Sequence, residues 1–246
     1  MSEEYRSPES YTEKEKWALM NGSQRIQYIW DYYKLPIVIA CIVLYIVGYS
    51  IFRAATHKDT VLYAALVNVS AGDALIDQLS DGYLETLEVD PAKNKVELYT
   101  DWYLTNDTSS QFYQFSYATN VKILASLTDH WLDVVLMNQE AFDAFAQNGY
   151  LSNIDELLAE ADPALHETLQ PYFVNNFEIL SDNHEEVALD PSVEYVSETS
   201  EYPMAVDLSA SPFIREAGFD AAVYFGIIVN TPRQDRSIDY LRYLFP

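Results

Sequence analysis

Cysteine is the first shortage: the chain holds one in 246 residues. A disulfide framework, a cysteine-built zinc site and an iron–sulfur cluster are thereby excluded. Glycine is scarce too, seven in all, and no GxGxxG or GxxxxGKS/T phosphate loop can be assembled from them. Basic residues are the third shortage, with 14 Lys and Arg against 38 Asp and Glu and a formal charge of −24. Nucleic-acid affinity rests on cations that neutralise phosphates, so a phosphate-backbone partner is excluded. The four histidines, His57, His130, His166 and His184, share no HxxxH or HExxH spacing, which argues against a zinc hydrolase. No GxSxG elbow or SxxK pair offers a local nucleophile. Asp182-Asn183-His184-Glu185-Glu186 lacks the glycine and the ligand spacing of a calcium loop and reads as a solvated acidic loop. Neither a catalytic centre nor a metal or cofactor site is expected.

What the chain has is apolar mass. A hydrophobic content of 49% is too high for a disordered chain, and the length allows one or two domains. Charge is unevenly spread. Residues 1–34 carry five Lys/Arg (Arg6, Lys14, Lys16, Arg25, Lys34) and six acids, whereas residues 53–246 carry nine against 32. Between them, residues 35–52 form an uncharged apolar run. Eighteen helical residues at about 1.5 Å each span roughly 27 Å, near the thickness of a bilayer core. Pro36 suits a first helical turn, and Tyr28, Trp30, Tyr32 and Tyr33 sit where an interfacial aromatic belt belongs. The run is longer than a signal-peptide core and is preceded by 34 residues, so an uncleaved single-span anchor is expected. The flanking cations nearly tie. The denser Lys/Arg content of the tail places the N-terminus in the cytoplasm and residues 58–246 outside a plasma membrane.

The tail itself is patterned. Thr12 and Glu15 form a capping box, and Asn21-Gly22 is a break signal. Beyond it Ile26, Trp30 and Tyr33 recur at helical spacing. The tail 1–34 is thus expected to be a cytoplasmic amphipathic segment, an interfacial anchor or a docking helix for another membrane subunit.

Residues 58–246 alternate between strand and helix patterns. Residues 60–69 (TVLYAALVNV) are a near-continuous apolar strand, as at the centre of a covered sheet. A Ser70-x-x-Asp73 cap precedes a helix with Leu75, Leu79, Tyr83 and Leu87 on one face. Residues 96–100 and 131–137 read as strands, and between them Tyr113, Tyr117, Val121 and Leu124 mark the apolar face of a second helix. Gly149 stops a short helix, and Asp162-Pro163 starts another. Residues 181–201 hold seven acids and no Lys or Arg, and are expected to be a loop or weakly structured insertion. Strands follow at 204–208 and 223–230, then a last helix with Ile238, Leu241 and Leu244. Such alternation predicts an α/β fold with an open, mostly parallel sheet centred on 61–67.

Residues 132–158 (LDVVLMNQEAFDAFAQNGYLSNIDELL) resemble a recurring stretch of extracellular solute-binding proteins, the type 2 periplasmic-binding-protein fold. Residues 224–245 resemble that family's return strand and final helix, with Asn230-Thr231 opening the helix. The N-terminal QYIWDYYKLPIVI followed by such a domain resembles single-span membrane proteins of low-GC Gram-positive bacteria. The resemblance implies an extracytoplasmic solute-binding-like domain, an accessory to a transporter permease among its readings. It departs in length: only residues 152–201 remain where a second lobe would be, so that lobe is expected to be reduced or absent.

In open α/β sheets ligands bind beyond the carboxyl ends of the strands. That places candidate ligand-binding residues at Asn68 and Ser70, at Asp101 and Trp102, at Asn138 and Gln139, and at Asp207, Ser209 and Ser211. Trp102 or Tyr103 would stack a sugar or aromatic group, while Asn138 and Asp207 would hold polar atoms. Equally, Ser, Asn and Asp at strand ends act as caps and turn residues. Three function classes stay open: a membrane-anchored binding or sensing module for a small solute or peptide, a non-catalytic scaffold subunit of an envelope complex, and an enzyme, which only a metal or a strongly perturbed acid in a cleft would favour. A deep crevice lined by Trp102, Asn138 and Asp207 would favour the first, and a flat one beside an exposed apolar patch the second.

Overall fold

The structure, a computed structural model, describes residues 12–246; the first eleven residues of the tail, Arg6 among them, lie outside that range. The chain divides after His57 into two compact units.

In the first unit the capping box forms. Glu15 takes the Thr12 backbone N–H at 2.9 Å and opens helix α1, Glu13–Leu19. Asn21 then starts helix α2, Gly22–Thr56, by accepting the Gln24 N–H while the Gln24 side chain returns to the Asn21 N–H. Because this second cap sets the start, Pro36 is internal to α2 instead of in its first turn. There it removes one intrahelical hydrogen bond, a loss tolerated in membrane helices. Residues Tyr33–Thr56 are long and apolar enough to cross a membrane, and none of that surface is buried in the protein.

The second unit is a six-stranded sheet between two helical layers. Its elements are β1 (Asp59–Val67), α3 (Asp73–Asp77), α4 (Tyr83–Thr86), β2 (Asn94–Trp102), α5 (Tyr113–Thr128) and β3 (Val134–Met137). Then come α6 (Gln139–Gln147), α7 (Ile154–Ala161), α8 (Pro163–Leu169), β4 (Phe173–Asp182) and α9 (His184–Leu189). The chain closes with β5 (Ser197–Asp207), α10 (Pro212–Ala217), β6 (Tyr224–Ile227) and α11 (Gln234–Leu244). Strand order is β2-β1-β3-β6-β5-β4. β1 pairs with β2 and β3 in parallel, so the apolar run lies inside the sheet with a neighbour on each side.

The expectation of a mostly parallel sheet fails beyond β3. The pairings β3–β6, β6–β5 and β5–β4 are all antiparallel. Parallel neighbours need a crossover of a dozen or more residues, which the segments ending in α4 and α5 supply. β4 and β5 are instead joined as a long hairpin, and β6 runs back against β3. The acidic stretch 181–201 is part of this hairpin: β4 residues through Asp182 pair with β5 from Ser197, and α9 sits at the tip. Its strands are half-exposed, so they lack the apolar alternation that marks a buried strand in sequence.

Both faces of the sheet are covered. Leu62, Ala64 and Leu66 of β1 point to a layer built by α3, α4, α7, α8, α10 and α11, with Leu79, Leu158, Phe225 and Leu241 fully buried. Ala65 and Val67 point to the opposite layer, built by α5 and α6 with Ile123, Phe142 and Phe145. The spacing of Leu75, Leu79 and Tyr83 is four residues, wider than a 3.6-residue turn. A π-helical segment at Gln78–Gly82 widens the turn and keeps all three buried. The Ser70-x-x-Asp73 cap does not form; Gly72 occupies the N-cap. Likewise α11 opens at Arg233 and not at Asn230-Thr231.

One buried charge holds the middle of the sheet. Asp133, wholly buried at the entry to β3, accepts the Tyr63 N–H at 2.8 Å, the Thr231 hydroxyl at 2.5 Å and the Arg233 guanidinium at 3.0 Å. Arg233 also lies 4.7 Å over the Tyr63 ring and donates to the His130 carbonyl. Replacing Arg233 by Met leaves that carboxylate without its cation. The expected cost in urea unfolding of the full chain is about 3 kcal/mol, the lower end for a broken buried pair, because the Arg233 side chain is 27% exposed. Arg236→Met, which breaks a solvent-exposed pair with Asp239 at 3.8 Å, should cost under about 1 kcal/mol. Equal costs would show that Asp133 needs no cation.

At the hairpin tip, His184 Nδ1 meets the Asp182 carboxylate at 2.5 Å. The hydrogen bond and charge of Asp182 push the His184 pKa above its ordinary 6.5. The pair's contribution is therefore complete below pH 6.5 and lost as pH rises through the raised value. In ring-proton NMR titrations His184 should titrate above 6.5, and Asp182→Asn should bring it back down. An unchanged midpoint in that variant would rule out the pairing.

Candidate functional site

The carboxyl ends of β1 and β2 frame an open hollow of about 380 Å³. Asn68 and Ser70 line one side, Asp101 and Trp102 another, and the rings of Tyr103, Phe112 and Phe115 close the third. Phe112 packs 5.3 Å from Tyr103 and 6.3 Å from Phe115.

Two of the four candidate residues gathered here are structural. Asn68 adopts a left-handed φ of 58°, a region that asparagine tolerates better than most residues. Its side chain copies a strand pairing: Oδ1 accepts the Leu104 N–H at 2.8 Å, and Nδ2 donates to the Leu104 carbonyl at 2.7 Å. The Asn68 N–H donates to the Trp102 carbonyl at 3.0 Å. The residue thus extends the β1–β2 ladder past its end and has little capacity left for a ligand. Trp102 is only 5% exposed and lies parallel to Tyr99 at 5.1 Å. It is a wall of the core; the partial burial of Tyr99 itself, with the nearby Glu97 charge, pushes the Tyr99 pKa up to about 12. Ser70 and Asp101 are exposed at the rim.

The other five candidates do not join the hollow. Asn138 Oδ1 accepts the Ala141 N–H at 3.0 Å to cap α6 and receives Asn68 Nδ2 at 3.3 Å. Gln139 donates to Asp143. Asp207 accepts the Ser209 N–H at 2.7 Å, and Ser211, fully buried, donates to the Leu244 carbonyl at 2.8 Å. Ser209 lines a separate hollow of about 310 Å³ beside α10. Asp207 ends β5, four strands from β2. At about 4.8 Å per strand that is roughly 19 Å away, too far to share one small ligand with Trp102.

Helix α5 departs furthest from expectation. Tyr113, Tyr117, Val121 and Leu124, the face expected to be core, point to solvent, Tyr117 with 73% of its surface exposed. The buried face carries Ser116, Thr119, Ile123, Ser126 and Leu127. The reason lies beneath it. Residues 103–105 run under α5 without a strand partner, and their backbone polar groups need hydrogen bonds. Ser116 Oγ takes the Thr105 N–H at 2.9 Å and donates to the Thr105 carbonyl at 3.1 Å, while Thr119 Oγ1 takes the Tyr103 N–H at 3.2 Å. Only short hydroxyl side chains let the helix approach that closely, so the larger apolar residues are turned outward.

The outcome is an exposed stripe of Tyr113, Tyr117, Val121 and Leu124 along α5, while Phe112 and Phe115, also exposed, pack together beside Tyr103 at the hollow. Residues 108–128 contain no Asp or Glu, the longest acid-free stretch after Asp59 in this acidic chain. The aromatic run Gln111–Tyr117 was the visible signal, but its periodicity reads equally well as core.

These assignments separate structure from recognition by mutation. Asn68→Asp sets a carboxylate oxygen against the Leu104 carbonyl, and Trp102→Ala empties part of the core. Expected costs in thermal or urea unfolding are about 2–3 kcal/mol for the first and about 3–5 kcal/mol for the second. Ser70→Ala and Asp101→Asn, at the exposed rim, should stay within about 0.5 kcal/mol. A silent Trp102→Ala would return that ring to the list of free recognition groups.

No family model, no curated protein and no solved structure matches the chain.

Proposed function

We propose that residues 58–246 form a membrane-anchored interaction module that docks another protein through the outward face of α5 and does not catalyse. The single observation that carries this reading is the inverted helix, with Tyr113, Tyr117, Val121 and Leu124 exposed on one stripe. Aromatic side chains of this kind supply much of the energy of protein interfaces, where charged residues are depleted. The anchor in this reading is the apolar part of α2. The higher density of Lys and Arg in the tail than in residues 53–246 favours the outer face of a plasma membrane for the module, in keeping with the resemblance to extracytoplasmic solute-binding domains.

A second reading has its own support. Ser70, Asp101 and the rings of Tyr103, Phe112 and Phe115 line the hollow, and these would suit a small cationic or aromatic solute. Its volume is near the lower end for a ligand pocket, and the polar groups best placed to orient a ligand are already bonded within the protein.

The test uses the full chain in its membrane. A benzophenone amino acid at position 117 or 124 should give photo-adducts with protein, whereas position 160, on an acidic helix of the opposite layer, should not. Absence of adducts at 117 and 124 would overturn the docking reading. Thermal-shift screens with sugars, amino acids and short peptides should leave the melting temperature unchanged. A saturable shift that Asp101→Asn abolishes would favour the hollow instead.

A further inference from the structure

We infer that the hollow at the carboxyl ends of β1 and β2 is a binding site for a small organic monocation, an alkylammonium of the choline type. The inference goes beyond the docking reading; it rests on the second reading and names its ligand class.

Three aromatic rings form the walls. Phe112 is inclined at 59° to Tyr103 and at 48° to Phe115, so the rings meet at angles and enclose space instead of stacking on one another. Rings set this way can offer electron-rich faces to a cation from more than one side.

The end of β2 adds a carboxylate. Tyr99 pairs with Ala65 and Trp102 with Val67, so β2 holds one residue more than β1 across this step. Such a bulge re-aims side chains. Tyr99 and Trp102, three apart in sequence, come to stack on each other at 5.1 Å, and Asp101 stands at the rim of the hollow. Asp101 is exposed, and among the described residues its carboxylate makes no hydrogen bond or ion pair. No Lys or Arg lines the hollow, so its charge is not neutralised there.

Other ligand classes fit less well. Asn68 spends both side-chain groups on Leu104, and Asn138 caps α6. A sugar or peptide, which needs oriented hydrogen bonds, finds few here. An anion meets Asp101 and the field of residues 53–246, with 32 acids against nine basic residues. A calcium or magnesium ion takes roughly six or more oxygen ligands, which one carboxylate and the Ser70 hydroxyl do not supply. An alkylammonium needs neither directional hydrogen bonds nor a coordination shell. Ring faces and one nearby carboxylate suffice, and the negative field raises its local concentration. The volume of about 380 Å³ suits a small ligand.

Calorimetric titration of the full chain tests this, in nanodiscs free of choline lipids, with empty nanodiscs subtracted and ionic strength fixed. The probes are choline, tetramethylammonium and the uncharged isostere of choline in which carbon replaces nitrogen. Both cations should bind saturably, and the isostere at least about tenfold more weakly than choline. Phe115→Ala and Asp101→Asn should each weaken choline several-fold with the melting temperature unchanged, because both side chains are exposed. Glu160→Gln, which removes a carboxylate from α7 in the opposite layer, should leave the affinity as it was. Absence of saturable binding with either cation would overturn the inference. So would an equal loss in Glu160→Gln, which would mark attraction to the overall charge of the domain. Equal affinity for choline and its isostere would overturn the ligand class while the second reading stands. Photo-adducts at positions 117 and 124 report on α5 alone, so the docking reading is judged separately.

Discussion

Burying a carboxylate is among the most expensive things a fold can do, and this one places Asp133 at the point where the sheet changes direction. β3 is four residues long, parallel to β1 on one side and antiparallel to β6 on the other. So short a strand specifies its register weakly, and a slip of one residue would send its side chains to the wrong face. Asp133 removes that freedom. Its backbone N–H donates to the Tyr63 carbonyl and its carbonyl accepts from Ile228, while its side chain takes Tyr63, Thr231 and Arg233. A single residue thus ties β1, the start of β3 and the loop that leaves β6. The desolvation cost is offset by a full set of partners, the condition under which buried ionic groups persist.

With the register fixed, the two faces of the sheet receive unequal cover. Six helices contribute to the layer over Leu62, Ala64 and Leu66, while α5 and α6 alone cover the side of Ala65 and Val67. A thin layer has no second shell to hide an apolar outer face. When the loop 103–105 claims the inner face of α5 for its own hydrogen bonds, the aromatic and aliphatic residues of that helix have nowhere to go but solvent. The exposed stripe is therefore a direct result of how β2 ends, and the same ending shapes the hollow beside Asn68. The exposed stripe and the termination of the strand are one feature.

Where the sequence could be read, a single local force decided the structure. The uncharged run at 60–69 could only be an interior strand, and its neighbours at 96–100 and 131–137 were separated from it by helical periods long enough for crossovers. Asp162 before Pro163 and the Asn21 signal became caps because their chemistry is local. What was not legible depended on distant partners. The inversion of α5 needs knowledge of the unpaired backbone beneath it. The antiparallel half of the sheet follows from the hairpin 173–207, whose exposed strands alternate without an apolar face. Strand-end residues such as Asn138, Asp207 and Ser211 carried the same letters whether they cap a turn or wait for a ligand, and here their side chains are already hydrogen-bonded within the chain. Asp133 lay in plain sight before a strand, but nothing local marked it as buried.

The distribution of carboxylates gives the docking reading its specificity. Attraction through a few exposed rings is weak and undiscriminating on its own, since any apolar surface would satisfy it. A surrounding field of negative charge changes this by penalising every approach that brings another acidic surface close, leaving the acid-free stripe as the permitted contact. On this reading polyanions would be repelled from the domain, and basic proteins would be drawn to the acidic hairpin and helices, away from α5. Specificity therefore comes from where charge is withheld, and the scarcity of Lys and Arg across residues 123–214 serves the same end by denying acidic partners a foothold. On this reading the strongly acidic composition and the bare α5 stripe are two halves of one recognition device.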